Sequence, residues 1–469
     1  MTQRSILRRA VLAGSLLAAT ASATTGVQKW STNADHTQGL KHGSVPFTKR
    51  PRSSLPTIRV DRRRSFQSVE GFGYAITGGS AQVIMEMSPS ARRALLTEIF
   101  GRRANDLKVR SIRISIGSSD LNDHVFSYDD LPPGQVDPDL KQFSIAEDRK
   151  ALIPLLREIL AIDPRIHILA SPWSPPTWMK TNGLPKAGSL KPEYYPAYAK
   201  YLVRYLREMK AEGIPVESIT VQNEPLYLKN TPSMSMTAAE QAEFIGKHVG
   251  PALRAAGLDT RILAYDHNPN RPDYPLAVLA DPEAAKFLHG TAFHLYEGDP
   301  AAMSKVHDAH PDKPIYITEQ MVTDIAWETN LPASTGSTVA RFMIAALRNW
   351  NEGIILWNLA ADPKFGPHTD DGGCVVCQGA VTIDRDKVMR NAGYYTLAQV
   401  SRFVTPGSRR IESTEPDRDL PNVAWRRPDG RAVLVVANLA RAKKSFAVSA
   451  NGRTFESTLP AGSAATYVW

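Results

Sequence analysis

The tetrapeptide Gln222-Asn223-Glu224-Pro225 closes an apolar, β-branched run, Ile219-Thr220-Val221. Ninety-five residues after Glu224, a second carboxylate, Glu319, closes another such run, Ile315-Tyr316-Ile317-Thr318. Cutting a glycosidic bond needs one carboxyl group to protonate the departing oxygen and another to meet the positive charge that develops at the anomeric carbon. Glu224 has the type and placement of the general acid/base, and Glu319 those of the nucleophile. Asn223, beside the acid, carries an amide that can hydrogen-bond a sugar 2-hydroxyl in a contact that tightens at the transition state. Taken singly, Asn-Glu-Pro also reads as a strand-to-loop cap and Glu319 as an ion-pair partner; their pairing across a barrel mouth favours the chemical reading.

Around this pair the sequence offers further recognition chemistry. Arg113, on an apolar run, is a candidate charge partner for the nucleophile, since a cation beside a carboxylate keeps it ionised. Asp120, in the loop Gly117-Ser118-Ser119-Asp120, is a candidate acceptor for sugar hydroxyls; the competing reading is a structural Arg–Asp ion pair. Three prolines stiffen the segment 171–183, which presents Trp173 and Trp178. Rigid indole faces suit pyranose rings, and Trp173 is expected to face ligand while Trp178 packs. His294 and Tyr296, two apart in an extended segment, point the same way. Tyr296 is expected to donate a hydrogen bond to Glu319, and His294 either lines the sugar site or is a satisfied core histidine. Trp357-Asn358 offers another platform, and Asp266-His267-Asn268 shapes the pocket wall.

These residues need a scaffold that brings strand ends together. From residue 71 onward, short apolar strands alternate with amphipathic helical patterns such as 194–212 and 238–256, and the strand count is eight. That alternation predicts an α/β fold, a (β/α)8 TIM barrel, with its active site at the C-terminal ends of the strands. After residue 398 the pattern changes to short alternating segments, with turn chemistry at Pro428-Asp429-Gly430 and Asn451-Gly452. This predicts a side antiparallel β-sandwich. The expected organisation is an export signal over 1–23, a basic flexible arm over 24–56, a strand over 57–70 joining the sandwich, the catalytic barrel over 71–398 and the sandwich over 399–469.

Arg8-Arg9 precede a mild apolar stretch and Ala21-Ser22-Ala23, the pattern of an export signal, with the twin-arginine route open to it. The protein is therefore expected in the periplasm or outside the cell. Of the formal charge of +9, residues 1–23 supply three positive charges, and 24–64 carry nine basic against two acidic side chains. The body is thus near neutral, and no nucleic-acid partner is expected. No apolar stretch is long enough to span a membrane. Cys374 and Cys377, the only cysteines, supply at most half of a four-cysteine zinc site, so no metal is expected. They are candidates for a local disulfide in an exported protein and for two thiols in a reducing compartment. The sequence has no nucleophile elbow, phosphate loop or His-Glu-x-x-His helix, so no cofactor is expected.

As a set, Gly71-Phe72-Gly73-Tyr74-Ala75-Ile76-Thr77-Gly78, Arg113 to Asp120, the 171–183 loop, Gln222-Asn223-Glu224-Pro225 and Trp357-Asn358-Leu359 resemble glycoside hydrolase family 30, the glucosylceramidase-like family of clan A. The resemblance runs from about residue 65 to the end. It implies a retaining β-glycosidase in which Glu319 attacks the anomeric carbon, Glu224 protonates the leaving oxygen and then activates water, and the two carboxyl groups lie roughly 5–5.5 Å apart. It also implies that Arg113, Asp120, Trp173, Asn223, His294, Tyr296 and Trp357 surround the glycone.

One departure bears on substrate. Where animal glucosylceramidases continue with a Gly-Gly-Pro-Asn type loop, this chain reads Phe365-Gly366-Pro367-His368 and then 370–377, including both cysteines. In this it is similar to the microbial branch that includes endo-β-1,6-glucanases. The expected substrate is a β-linked glucoside or glucan, with a glycolipid as one form, acted on by a monomer. The rival readings are a β-xylosidase or β-fucosidase of the same family and a non-catalytic carbohydrate-binding protein; the presence of both glutamates argues against the last.

Overall fold

The computed structural model describes residues 26–49, 52, 54–325 and 334–469. The export segment expected over 1–23 lies outside the described residues. Three strands come first: β1 (Gly26–Thr32), β2 (Lys41–Thr48) and β3 (Thr57–Ser68). Eight parallel strands then close into a barrel: β4 (Gly71–Ala75), β5 (Ser111–Ile116), β6 (His167–Pro172), β7 (Ser218–Thr220), β8 (Arg261–His267), β9 (Leu288–His294), β10 (Ile315–Glu319) and β11 (Asn351–Asn358). All eight coincide with the apolar runs of the sequence.

The barrel strands are buried on both faces, which is why they read as continuous apolar runs. Gly73 is required by contact: a Cβ there would lie 1.6 Å from the Ser111 carbonyl oxygen on the neighbouring strand. Inside the barrel Leu169, Leu263, Ala292 and Ile355 form an apolar plug, with Tyr316 packed against it. A separate polar cluster of Arg113, Ser171, Thr220, Asp266 and Thr318 is knitted together by hydrogen bonds. The outer helices include Leu152–Ile162 and Tyr195–Ala211, the latter burying Tyr198, Tyr201, Leu202, Tyr205, Leu206 and Met209. The helix expected over 238–256 is in three parts, Ala238–Glu243, a π-helical stretch Phe244–Val249, and Gly250–Ala255, opened by a Thr237–Glu240 capping box.

After β11 come the short sheet β12 (Ala360–Ala361), β13 (Val381–Asp384) and β14 (Lys387–Arg390), then the helix Ala392–Ser401. The barrel unit therefore extends past the expected boundary at 398, because that helix continues before the chain turns. The remaining strands are β15 (Arg409–Ser413), β16 (Asn422–Arg426), β17 (Ala432–Ala437), β18 (Lys444–Ala450), β19 (Arg453–Leu459) and β20 (Ala464–Val468). Together with β1–β3 they form a nine-stranded ring in the order β1-β2-β19-β18-β3-β15-β16-β17-β20. Its own core includes Ile58, Leu434, Phe446, Val448, Phe455 and Tyr467, and it packs on the barrel through Trp425, Val433, Val435 and Val468.

The expectation of a flexible arm over 24–56 is corrected here. β1 pairs with both β2 and β20, and β2 reaches β19. Only Val27 and Thr32 of β1 are buried, so the segment lacks an apolar pattern; backbone ladders and the packing of Trp30 on Phe403, ring centroids 4.7 Å apart, hold it instead. The strand expected over 57–70 is β3, paired with β15 and β18. Among the described residues, no helix is long and apolar enough to cross a membrane.

Candidate active site

Backbone irregularities gather where the barrel strands end. Register shifts occur at Ile317/Glu319, Tyr265/His267 and Leu356/Asn358. Tyr265, Asp266 and Glu224 adopt positive φ of 80°, 72° and 41°. Non-glycine residues are held there only where surrounding contacts over-determine them. Bulges re-aim side chains, and here they lie beside Asp266 and Glu319, while Glu224 is turned by its own positive φ.

Arg113 organises the floor. Its Nη1 donates to Glu319 Oε2 at 2.6 Å, its Nη2 to Asn223 Oδ1 and Asp266 Oδ2 at 2.8 Å each, and its Nε to Ser171 Oγ at 3.2 Å. The guanidinium carbon sits 4.9 Å from the Trp173 ring centroid and 5.8 Å from that of Trp357, and the two indoles stack at 5.6 Å. Trp178 packs as expected, its Nε1 donating to the Asp129 carbonyl. Oδ1 of Asn223 is taken by Arg113.

Glu319 accepts at both oxygens, from Arg113 at Oε2 and from Tyr296 Oη at Oε1, 2.9 Å away. The Tyr296 expectation therefore matches the geometry. Burial, with the nearby glutamates adding, pushes the phenol well above its ordinary value, so it stays a donor. His294 is fully buried, and both ring nitrogens meet carboxylates: Nδ1 lies 2.9 Å from Glu224 Oε1 and Nε2 lies 3.0 Å from Asp266 Oδ1. It is thus neither a sugar-facing donor nor a bystander in the core. The same Nδ1 is 3.9 Å from Glu319 Oε1, so the two glutamate oxygens can be no farther apart than the sum of these distances. That limit accommodates the roughly 5–5.5 Å separation of retaining pairs.

Three carboxylates, Glu224, Glu319 and Asp266, face two cations. Burial opposes charge on His294, but Glu319, Asp266 and Glu224 together raise it to about 9, so the imidazole is cationic at neutral pH. Asp266 is held far below the carboxylate range: burial would raise it, but Arg113 and His294 dominate. Burial pushes Glu319 up, opposed by His294 and Arg113, whereas at Glu224 burial is outweighed by the His294 hydrogen bond and the two nearby imidazoles. The two carboxyl groups are thus shifted in opposite directions, and they titrate together.

Asp266 and His267 carry more than the pocket-wall role read from the sequence. Asp266 also accepts from Thr220 Oγ1 at 2.7 Å and Thr318 Oγ1 at 2.6 Å, which makes it the hub of the network. His267 Nδ1 lies 3.6 Å from Glu224 Oε1. The sequence signal for both was a polar triplet at a barrel strand end; nothing local shows the left-handed turn that aims Asp266 inward. Asp266→Asn keeps the shape but leaves Arg113 and His294 short of an anion. It should cost about 3–5 kcal/mol in urea unfolding, the scale for breaking a buried ion pair, and lower the His294 pKa read by NMR. An unchanged unfolding midpoint would contradict the hub role.

Asp120 is buried, and burial, with the charges of Glu319 and Glu224 adding, raises it to about 8. The folded acid keeps a proton that the unfolded chain releases near pH 4. Its favourable contribution is full below that pH and is lost as pH rises through about 8. Asp120→Asn should therefore raise Tm at pH 8 and leave it nearly unchanged at pH 4, while raising KM if Asp120 holds sugar hydroxyls. Equal Tm shifts at both pH values would rule out the buried-acid account.

Glu224, His267 and His294 bring three possible metal-ligand atoms within 4.8 Å of one another, the one such group among the described residues. It lies inside the glutamate network, where both His294 nitrogens already contact carboxylates. Cys374 and Cys377 are joined as a disulfide.

Comparison with known proteins agrees with this geometry. Residues 69–404 match the glycosyl hydrolase family 30 TIM-barrel domain, and 407–467 match that family's β-sandwich domain. The chain is 34% identical over 397 residues to an endo-1,6-β-D-glucanase of Aspergillus fumigatus, covering 79% of this chain and 78% of that protein. It is 31% identical over 460 residues to the lysosomal acid glucosylceramidase of Mus musculus, covering 94% and 88%. A solved endo-β1,6-glucanase superposes with a TM-score of 0.86 at 33% identity, covering 95% of this chain and 99% of that one.

Proposed function

The chain belongs to glycosyl hydrolase family 30, and from that premise we propose that it is a retaining β-glucosidase acting on β-1,6-linked glucan through Glu319 and Glu224. It is a β-glycoside hydrolase; the choice of β-1,6-glucan and the residue roles are the proposed part. The observation that carries the roles is His294 Nδ1, which reaches both glutamates and so ties them to one sugar-sized gap.

In the first step Glu319 attacks the anomeric carbon from one face as Glu224 gives its proton to the glycosidic oxygen, and the aglycone leaves as an alcohol. In the second, Glu224 takes a proton from water, the hydroxide adds to the same carbon, and Glu319 departs as carboxylate, giving net retention. Arg113 and Tyr296 place one donor on each Glu319 oxygen, which suits an ionised nucleophile and leaving group. Among the described residues no protein donor meets Glu224 Oε2, so that oxygen is the one to meet the glycosidic oxygen. Catalysis needs the proton on Glu224, and a bound glycosidic oxygen accepting from Oε2 favours that protonated form. Trp357 is the platform for the sugar ring, backed by Trp173, which is nearly fully buried between Trp357 and Arg113 rather than facing ligand, with Asp120 and Asn223 reading the sugar hydroxyls.

The β-1,6-glucan substrate is supported by the relatives named as endo-1,6-β-glucanases in sequence and in structure. A second reading, a glycolipid glucoside, is favoured by one observation. Leu184, Leu226, Tyr227, Leu228 and Val375 are exposed apolar residues on loops tied together by the Lys186–Asp371 ion pair and the Thr369–Thr231 hydrogen bond. Initial rates on β-1,6-glucan, glucosylceramide and aryl β-glucoside, β-xyloside and β-fucoside decide among these. The glucan reading requires that β-1,6-glucan give the highest kcat/KM of the natural substrates. Export is proposed on the Arg8-Arg9 leader, and a monomer because one chain carries every residue of the proposed machinery; cell fractionation and sedimentation test the two.

A further inference from the structure

The loop 362–380, between β12 and β13, makes contacts that the catalytic scheme does not use. Thr369 N donates to the Asp120 carbonyl at 2.9 Å, and its Oγ1 donates to the Thr231 carbonyl at 2.8 Å, in the loop that follows Glu224. Asp371 pairs with Lys186 at 2.9 Å, in the segment that follows the Trp173 loop. Gly372, at φ +80°, lies flat on the same loop, since a Cβ there would stand 2.4 Å from the Lys229 carbonyl oxygen. Within this loop, buried Cys377 and partly buried Cys374 share one apolar cluster with Trp173, Trp357, Leu121, Met321, Ala75 and the Tyr296 ring. Val375, inside the same disulfide ring, is 62% exposed, so the ring has its cysteines on the side of this apolar cluster and its valine toward solvent.

We propose that the Cys374–Cys377 disulfide makes this loop a fixed wall of the sugar site, holding the Trp173–Trp357 platform and the Asp120 segment in register, and so sets substrate fit more than turnover. The inference rests on the cleft being the sugar site. Glycine-rich chain without a ladder of its own is costly to fix in one shape. A covalent ring in the apolar cluster that holds the indoles removes that freedom where it matters. A ring this small constrains little of the unfolded chain. Its influence is therefore local to the wall. Cys374, Cys377 and Thr369 act as positioning residues, since none contacts the glutamate pair.

The test compares wild type with Cys374→Ala/Cys377→Ala and, independently, with Thr369→Val, which keeps the fold of the side chain but loses the tie to Thr231. KM and kcat are measured on an aryl β-glucoside and on β-1,6-glucan, together with Tm. The expected result is KM raised about fivefold or more in the double variant with kcat within about twofold, the pattern of lost binding common to ground and transition states. Thr369→Val should move KM the same way by less, and Tm should change little in both. Unchanged KM in both variants overturns the proposal, as does a joint fall of kcat and Tm, which would mark a role only in holding the fold. If wild type ignores β-1,6-glucan but cleaves the aryl glucoside or glucosylceramide, the substrate reading fails alone, and the same KM shift is required on whichever glucoside is cleaved. If wild type cleaves none of them, both fail.

Discussion

Glu319→Gln should lower kcat on every glucoside by roughly 10⁴-fold or more, the scale on which loss of a covalent nucleophile is felt, while leaving the protein folded. The amide is isosteric and still accepts a hydrogen bond at its oxygen, but it cannot form the glycosyl ester. Stability should hold for a reason visible in the site. Burial raises the proton affinity of Glu319 on folding, so its ionised form is a burden to the fold at neutral pH rather than a support. The sign follows: a carboxyl group with a raised folded pKa favours the fold below its unfolded pKa and loses that contribution as pH rises. Removing it should leave Tm at pH 7 unchanged or higher, even though the Arg113 contact at 2.6 Å is weakened, because Arg113 keeps Asp266. Near-normal hydrolysis by a folded Glu319→Gln protein would sink the assignment.

The second large effect is expected for Glu224→Ala, and it should depend on the leaving group. General acid catalysis is worth about 10²–10⁴-fold, so β-1,6-glucan, whose leaving group is a sugar alkoxide, should lose that much. A nitrophenyl glucoside leaves without a proton, so its first step should survive while hydrolysis of the glycosyl enzyme slows for want of a base. The alanine also opens room beside the anomeric carbon. Azide, which needs no deprotonation, should restore turnover of the aryl glucoside and yield the β-configured glucosyl azide, as two inversions require. Equal slowing of all substrates with no response to azide would remove Glu224 from the acid/base role. The α-azide as product would instead refute retention.

The two predictions draw on different parts of the network. Glu319 is fixed by donors, Arg113 and Tyr296, that hold both its oxygens. Glu224 is fixed at one oxygen by His294, itself held by Asp266. Loss of Asp266 should therefore disturb both glutamates at once, through Arg113 on one side and His294 on the other.

Much of this was legible in the linear chain because the barrel strands are buried on both faces and announce themselves as apolar runs, each followed by the polar residues that face the cleft. Glu224, Glu319, Arg113, Tyr296 and the two tryptophans could be found that way. The β-domain was only partly legible. Its later strands alternate and carry turn signals, but β1 and β2 are held by backbone ladders with few buried side chains, and so looked like a mobile arm.

What the sequence by itself determined is the inventory: an eightfold strand–helix alternation, two strand-end glutamates and the aromatic and cationic residues near them, since periodicity and residue type are local properties. Only the tertiary structure decided their relations. The positive φ of Asp266 and Glu224 and the bulge beside Asp266 depend on neighbours distant in the chain. They make His294 a bridge between carboxylates rather than a sugar ligand, and they give the buried charges their proton affinities. The disulfide loop likewise acquires a role only because folding lays it against indoles more than a hundred residues away in one case and close by in the other. Electrostatics and packing act through space, and no local pattern encodes which buried charges will meet.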